Sequence, residues 1–270
     1  MDKQRPELGD VQQTLFVTLL ARAAETRRRH PALRDPKAVE IAEAVDIDPV
    51  YGLWAGVITI VRTLVFDYWV REFLREHPEG TVVDLGTGLN TRFERCDNGR
   101  CHWLDLDLPD TIALRRQFFA DSPDGRRRMI AGSVTSAAWH DAVAACPPPY
   151  FFVSEGVLVY LPPGAVRDAL SGLAARFPGA VVSFDTYGKR SVRGQRQSAQ
   201  RRNMAARWQW ACDDPRELEP LGLRLAGSVP VTRSPAPVAR ALPARCRWLL
   251  RLISPVLGGS FILNRFQAAS

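Results

Sequence analysis

The segment 81–107 constrains the fold more than any other part of the chain. Val82-Val83-Asp84-Leu85 is a short hydrophobic run that ends in Gly86-Thr87-Gly88. Such a run predicts a buried strand, and the two glycines predict a turn where backbone meets a ligand without a side chain between them. A second run ends at Asp105-Leu106-Asp107, about 20 residues on, the place where open α/β sheets carry an acid for ribose hydroxyls. The rhythm continues. Strands are predicted at 81–85, 102–106, 128–131, 151–154 and 180–184, alternating with helices near 110–120, 137–145 and 163–177. Alternation of this kind means an α/β fold with a mostly parallel sheet.

The flanks read differently. Val11, Leu15, Leu19 and Ala23 repeat at a helical spacing of four, giving a helix over 11–29 with a basic last turn before Pro31. A second helix is predicted after Asp35-Pro36, and a third over 58–75 with Val61, Val65, Tyr68, Trp69 and Phe73 apolar. Beyond Gly188 an Arg/Gln-rich helical stretch reaches Trp210, and two more strands are predicted at 224–230 and 261–266. Pro235, Pro237 and Pro243 between them predict an irregular connection, and 248–257 reads as a buried or lid helix. The expected organisation is one domain: a helical cap (1–78), a ligand-binding core (79–187), a lid insertion (188–223), and C-terminal strands with a connecting helix (224–270). The lid is expected to be built from 11–29 and 188–210, over an acceptor.

Composition narrows the function. The 270 residues are 46% hydrophobic and 24% charged, a soluble globular profile. The start is polar, unlike a signal peptide, and no apolar run reaches the ~20 residues of a membrane span. The net charge of +7 is almost entirely arginine, since Lys3, Lys37 and Lys189 are the only lysines. The arginine clusters are not interleaved with aromatics, so no nucleic-acid platform is expected. Five cysteines without a spacing framework indicate reduced thiols and a cytoplasmic protein. Cys96 and Cys101 beside His102 lack a second ligand pair, so no metal is expected.

Two ligands compete for the glycine turn. A dinucleotide prefers Gly-x-Gly-x-x-Gly with its pyrophosphate on a helix N-terminus. Here Thr91 occupies the third glycine position, which favours a phosphate-free methyl donor. Glu155-Gly156 at the exit of the fourth predicted strand sets a carboxylate over the same crevice, facing the donor's amino group or sulfonium.

Taken together, Arg62, the run Asp84-Leu85-Gly86-Thr87-Gly88-Leu89-Asn90-Thr91-Arg92-Phe93, Trp103-Leu104-Asp105-Leu106-Asp107 and Glu155-Gly156-Val157-Leu158-Val159-Tyr160-Leu161 carry a family resemblance. The chain resembles the leucine carboxyl methyltransferase family, in its bacterial branch of polyketide-type O-methyltransferases, over 11–188 and more loosely through 227. The resemblance implies a class I S-adenosylmethionine-dependent methyltransferase with a seven-stranded, mostly parallel, Rossmann-like sheet. It implies that Arg62 holds the methionine carboxylate and that Asp84, Gly86 and Gly88 form the donor turn. Asp107, with Asp105 as neighbour, takes the ribose; Ser133 and Val134 flank the adenine, where the family usually has Asp-Leu; Glu155 faces the amino end. Arg22 stands in for a family lysine.

The expected reaction is O-methylation of a small-molecule acceptor, most readily a carboxylate giving a methyl ester and S-adenosylhomocysteine. Alternatives are a phenol, hydroxyl or amine acceptor, an NAD(P)-dependent oxidoreductase, and a non-catalytic donor-binding or RNA-binding protein. The donor is already activated, so alignment and exclusion of water suffice and no catalytic residue is assigned. His140 is expected to be structural. Acceptor contacts are expected from Arg22, Tyr160, Asp185 and Tyr187, with Arg190, Arg193, Arg196, Arg201 and Arg202 as further candidates.

Overall fold

The computed structural model describes residues 9, 14–46, 53–201, 205–257 and 259–269. Helices α1 (Leu15–Thr26), α2 (Pro36–Ala44) and α3 (Leu53–Glu76) precede the first strand. There follow β1 (Thr81–Leu85), α4 (Arg92–Cys96), β2 (His102–Asp107), α5 (Pro109–Arg115), β3 (Arg127–Ala131), α6 (His140–Ala144), β4 (Tyr150–Ser154), α7 (Pro163–Arg176) and β5 (Val181–Tyr187). The chain ends with α8 (Lys189–Arg201), β6 (Leu223–Pro230), α9 (Ala236–Ala241), α10 (Ala244–Leu257) and β7 (Phe261–Ala268).

The seven strands form one sheet in the order β3-β2-β1-β4-β5-β7-β6. The first five are parallel, while β7 runs antiparallel between β5 and β6. Both faces are covered. α3 and α10 pack on one face through Val65, Trp69, Phe73 and Leu250, and α7 packs on the other through Val166, Leu170 and Leu173. That is why β1 is buried along its whole length, with Thr81 and Asp84 its only polar residues. The cap has its own core, in which Phe16, Leu19 and Ile41 meet Ile112 and Met129. α2 starts as its sequence predicts: Asp35 accepts from the Ala38 amide at 3.0 Å, with Pro36 in the first turn.

Local structure departs from the sequence reading in five places, the first being α1, which ends at Thr26 and leaves Arg27, Arg28 and Arg29 beyond its last turn. The prolines at 235, 237 and 243 open α9 and α10 instead of an irregular connection, because each sits at or before a first helical turn, where its missing N–H costs nothing. α10 is amphipathic rather than buried: Leu249 and Leu250 are covered, while Trp248 and Leu252 face solvent. The stretch beyond Gly188 is helical only to Arg201. Its later part, from 205, runs along the β4 exit, where the Gln209 amide donates to Val159 O at 2.7 Å. α5 ends at Arg115, short of the predicted 120. The predicted helical residues 11–13 and the candidate Arg202 lie outside the described residues. No helix of the described residues is long and apolar enough to cross a membrane.

All five cysteines are free and buried. Burial pushes the Cys96, Cys101 and Cys212 thiols up to about 12. Alkylation needs the thiolate. Native protein treated with iodoacetamide near neutral pH is therefore expected to stay unlabelled at these positions, and denatured protein to take label at all five cysteines. Rapid native labelling of Cys96, read by peptide mass spectrometry, would contradict this packing.

Candidate active site

The strand order reverses between β1 and β4, so their connections leave on opposite sides and open a crevice at the carboxyl ends. The turn after β1 enters it with Gly86 at φ +71° and Gly88 at φ +52°. The amides of Gly86 and Thr87 donate to Leu106 O at 2.8 and 3.0 Å, tying the turn to the tip of β2. There Asp107 accepts from the amides of Gly88 at 2.6 Å and Leu108 at 2.7 Å. Burial still raises its carboxyl above the ordinary range, against those two hydrogen bonds.

Arginines brace the turn from beneath. Three successive carbonyls each accept from a buried guanidinium: Gly88 O and Asn90 O from Arg115 Nη1, at 3.0 and 2.7 Å, and Leu89 O from Arg22 Nη2 at 2.7 Å. The same groups answer buried carboxylates. Arg22 Nε lies 3.0 Å from Asp35, and Arg115 and Arg127 share Asp105. Burial alone would raise the Asp105 carboxyl, but these two arginines bring it below its usual range.

Across the crevice, Arg62 on α3 meets the tips of β4 and β5. Its Nε donates to Glu155 Oε1 at 2.9 Å, and its Nη1 to Asp185 Oδ2 and the Tyr187 hydroxyl, both at 3.1 Å. Thr63 Oγ1 donates to the same Glu155 oxygen at 3.0 Å. Burial disfavours the Glu155 carboxylate, yet Arg62 and Arg92 hold it below the ordinary carboxylate range. Burial and the Asp185 charge push the Tyr187 phenol well above its usual value.

These groups surround a cavity of about 390 Å³. Of the sequence-predicted donor residues, Arg62, Gly86, Gly88, Asp107, Ser133, Val134 and Glu155 line it. Asp84 does not. β1 is covered on both faces, and Asp84 points to α4, where Arg92 Nη1 donates to it at 2.7 Å. Asp105 is likewise buried beneath the turn. Of the acceptor candidates, Arg22, Tyr160 and Tyr187 line the cavity. Asp185 lies behind it, accepting from the Gly156 amide at 2.9 Å and from Arg62 and Tyr187. Arg190, Arg193 and Arg201 stand away from the cavity. Arg196 instead binds the carbonyls of Trp208 and Gln209. His140 packs edge-on to Trp139 and Phe177, away from the cavity.

Further wall comes from the two segments expected to form a lid, 11–29 and 188–210, through residues not named in the sequence as ligand contacts. Thr14, Leu15, Val17 and Thr18 from the start of α1, Gln195 from α8, and Ala206 and Trp208 belong to it, with Leu15 set against the glycine turn, where a Cβ on Gly88 would lie 3.4 Å from Leu15 Cβ. The Trp208 backbone is held by Gln195, whose side chain accepts from the Trp208 amide at 2.9 Å. Trp208 also packs on Tyr187 with ring centroids 4.3 Å apart. Nothing in its local sequence separates Trp208 from a core tryptophan. Arg92 carried a signal, standing in the Thr91-Arg92 pair after the glycine turn.

S-adenosylmethionine fits this arrangement. Along the strand tips in the order β4, β1, β2, β3 stand Glu155, Gly86 with Gly88, Asp107, and Ser133 with Val134. That sequence matches an amino acid, a close-approaching chain, a ribose and a base. Among the described residues, Arg62 Nη2 and Arg22 Nη1 make no hydrogen bond, so two guanidinium nitrogens remain for a carboxylate. The room at the turn depends on glycine: a Cβ on Gly86 would lie 2.3 Å from Val157 Cγ2.

The sheet is that of a class I S-adenosylmethionine-dependent methyltransferase. Solved structures share the fold. A domain-of-unknown-function family protein from Streptomyces avermitilis superposes with TM-score 0.56 at 14% identity, covering 92% of this chain and 97% of that one. Magnesium protoporphyrin IX methyltransferase from Synechocystis, with bound S-adenosylhomocysteine, gives 0.51 at 10% identity, covering 83% and 90%. The chain belongs to the leucine carboxyl methyltransferase family, whose model matches residues 15–174. It is 33% identical over 218 residues to the tetracenomycin polyketide synthesis O-methyltransferase TcmP of Streptomyces glaucescens, spanning 78% of this chain and 79% of that protein. It is 27% identical to the S-adenosyl-L-methionine-dependent methyltransferase dpfgK of Gibberella zeae, spanning 81% of each. The oxidoreductase and non-catalytic alternatives are set aside by this membership.

Proposed function

We propose that the protein methylates a carboxylate of a small natural-product acid, releasing its methyl ester. The observation that carries this reading is the chemistry of the cavity wall. Its ionisable groups among the described residues are Arg22, Arg62, Asp107, Glu155, Tyr160 and Tyr187; no histidine, lysine or cysteine is among them. Asp107 and Glu155 belong to the donor half, and Tyr187 donates its proton to Asp185 at 2.8 Å. A phenol or an amine would have to lose a proton to a base. A carboxylate arrives ionised and needs only orientation. The relationship to TcmP, whose name places it in polyketide synthesis, supports an acceptor of that kind.

When bound, the donor supplies an electrophilic methyl group on a sulfonium. The chain's own residues do the rest by placement. Arg62 and Arg22 present nitrogens to the methionine carboxylate, Glu155 offers an acceptor to its amino group, and Asp107 accepts from the ribose. The start of α1 covers the glycine turn, Gln195 and Trp208 cover the acceptor side, and together they keep water out.

The test is turnover of S-adenosylmethionine with a carboxylic acid, its methyl ester and a matched phenol. The acid is expected to gain one methyl group and the ester none. With the acid, kcat/KM is expected to stay level from roughly pH 6 to pH 9, because a carboxylate of pKa ~4 is ionised throughout. A rate that climbs about tenfold per pH unit, toward a phenol's pKa of ~10, would overturn the carboxylate reading.

A further inference from the structure

Arg92 opens α4 and is fully buried, yet it stands outside the cavity and has no place in the donor contacts above. Each arm of its guanidinium takes a carboxylate from a different element. Nε donates to Asp67 of α3 at 3.1 Å, Nη1 to Asp84 of β1 at 2.7 Å, and Nη2 to Oε2 of Glu155 beyond β4. Only the last of these carboxylates lines the cavity.

We propose that Arg92 is a positioning residue for the methyl donor, holding Glu155 in one orientation so that Glu155 and Arg62 face the donor's amino acid correctly. The inference rests on the reading of this cavity as the donor site. The guanidinium is planar, so Asp67 and Asp84, gripping two of its edges, fix the direction of the third. That third edge takes Oε2 and leaves Oε1 to Arg62 and Thr63. With one oxygen held from each side, the Glu155 carboxylate cannot rotate, and Arg62 Nε is held with it. Arg92 in turn is fastened by Arg95, which pairs with the far oxygen of Asp67 at 2.6 Å and with Asp35 at 3.1 Å. Asp35 also holds Arg22. One buried network thus sets both guanidiniums that face the cavity. Lysine cannot replace Arg92, because one ammonium has no fork to span three carboxylates.

The experiment measures S-adenosylhomocysteine binding by calorimetry, and KM for donor and acceptor, in the intact wild-type chain, R92K, E155Q and the double variant. R92K is expected to weaken S-adenosylhomocysteine about tenfold and to raise the donor KM by a similar factor, with acceptor KM within about twofold. In the E155Q background the same change is expected to add less than roughly threefold, because Arg92 acts through Glu155. Full additivity in both backgrounds, or equal losses for donor and acceptor, would make Arg92 a structural residue and overturn the inference. Should R92K not fold, D84N tests the same point by releasing one edge of Arg92 without touching the cavity wall. A severalfold loss of S-adenosylhomocysteine affinity at unchanged acceptor KM is expected, and unchanged affinity would overturn the inference. Wild-type protein that binds no S-adenosylhomocysteine would instead remove the donor-site reading, a failure separable from the others.

Discussion

Arg62→Ala is expected to weaken S-adenosylhomocysteine binding by about 100-fold or more and to lower the melting temperature by on the order of 10 °C. Two effects add. Arg62 carries an open guanidinium nitrogen on the cavity wall, so on the proposed function its removal deletes a charge-assisted contact to the donor carboxylate. It also leaves Glu155 and Asp185 as buried carboxylates with one cation fewer, and breaking such a pair costs about 3–5 kcal/mol. Arg92 still serves Glu155, but Asp185 keeps only the Gly156 amide and the Tyr187 hydroxyl. Asp185 therefore has the greater tendency to take up a proton. Arg62→Lys is expected to recover part of the stability and little of the affinity, since lysine restores the charge but not the fork. Calorimetry and thermal denaturation of the two variants check this, and wild-type affinity in Arg62→Ala would remove Arg62 from the donor site.

Gly86→Ala is expected to abolish turnover while leaving the protein folded. The backbone there has φ +71°, a left-handed conformation that costs an L-residue roughly 1–2 kcal/mol. The added Cβ also meets Val157 Cγ2 at 2.3 Å, and Val157 itself lines the cavity. The turn must therefore move out of the donor path, or Val157 must move into the cavity. A second substitution separates the two costs. Gly86→Ala with Val157→Ala removes the clashing methyls and leaves Val157 Cβ 3.2 Å away, while the backbone strain persists. The double variant is expected to regain donor binding in part, short of wild type. Donor affinity equal to wild type in the single variant would show that the turn does not approach the ligand.

Legibility in the sequence followed distance along the chain. The glycine turn and Asp107 lie within one strand–helix–strand unit, where the spacing of a Rossmann-like motif is local and could be read directly. Glu155 was legible for the same reason, as an acid at a strand exit. Asp84 shows the limit. It sits in the most recognisable run of the chain, yet a strand covered on both faces turned its carboxylate to Arg92 and away from the cavity. Trp208 shows the other limit. It reaches the cavity only because Gln195 and Val159 hold its segment in place, and neither contact has a counterpart in local pattern.

The prolines before α9 and α10 make the same point from backbone chemistry. Proline ends one helix and begins another with the same residue, and only the observed fold distinguishes the two uses. Periodicity, turn residues and motif spacing are relations between near neighbours in the chain, and they were enough for the α/β class, the strand positions and the glycine turn at the crevice. The partners of the buried charges are set differently. Arg62 meets Glu155 across 93 positions, and Arg92 meets it across 63. A buried guanidinium must be matched by whichever carboxylates the packing of α3, α4 and the strand tips brings within hydrogen-bond reach. That choice belongs to the tertiary structure alone.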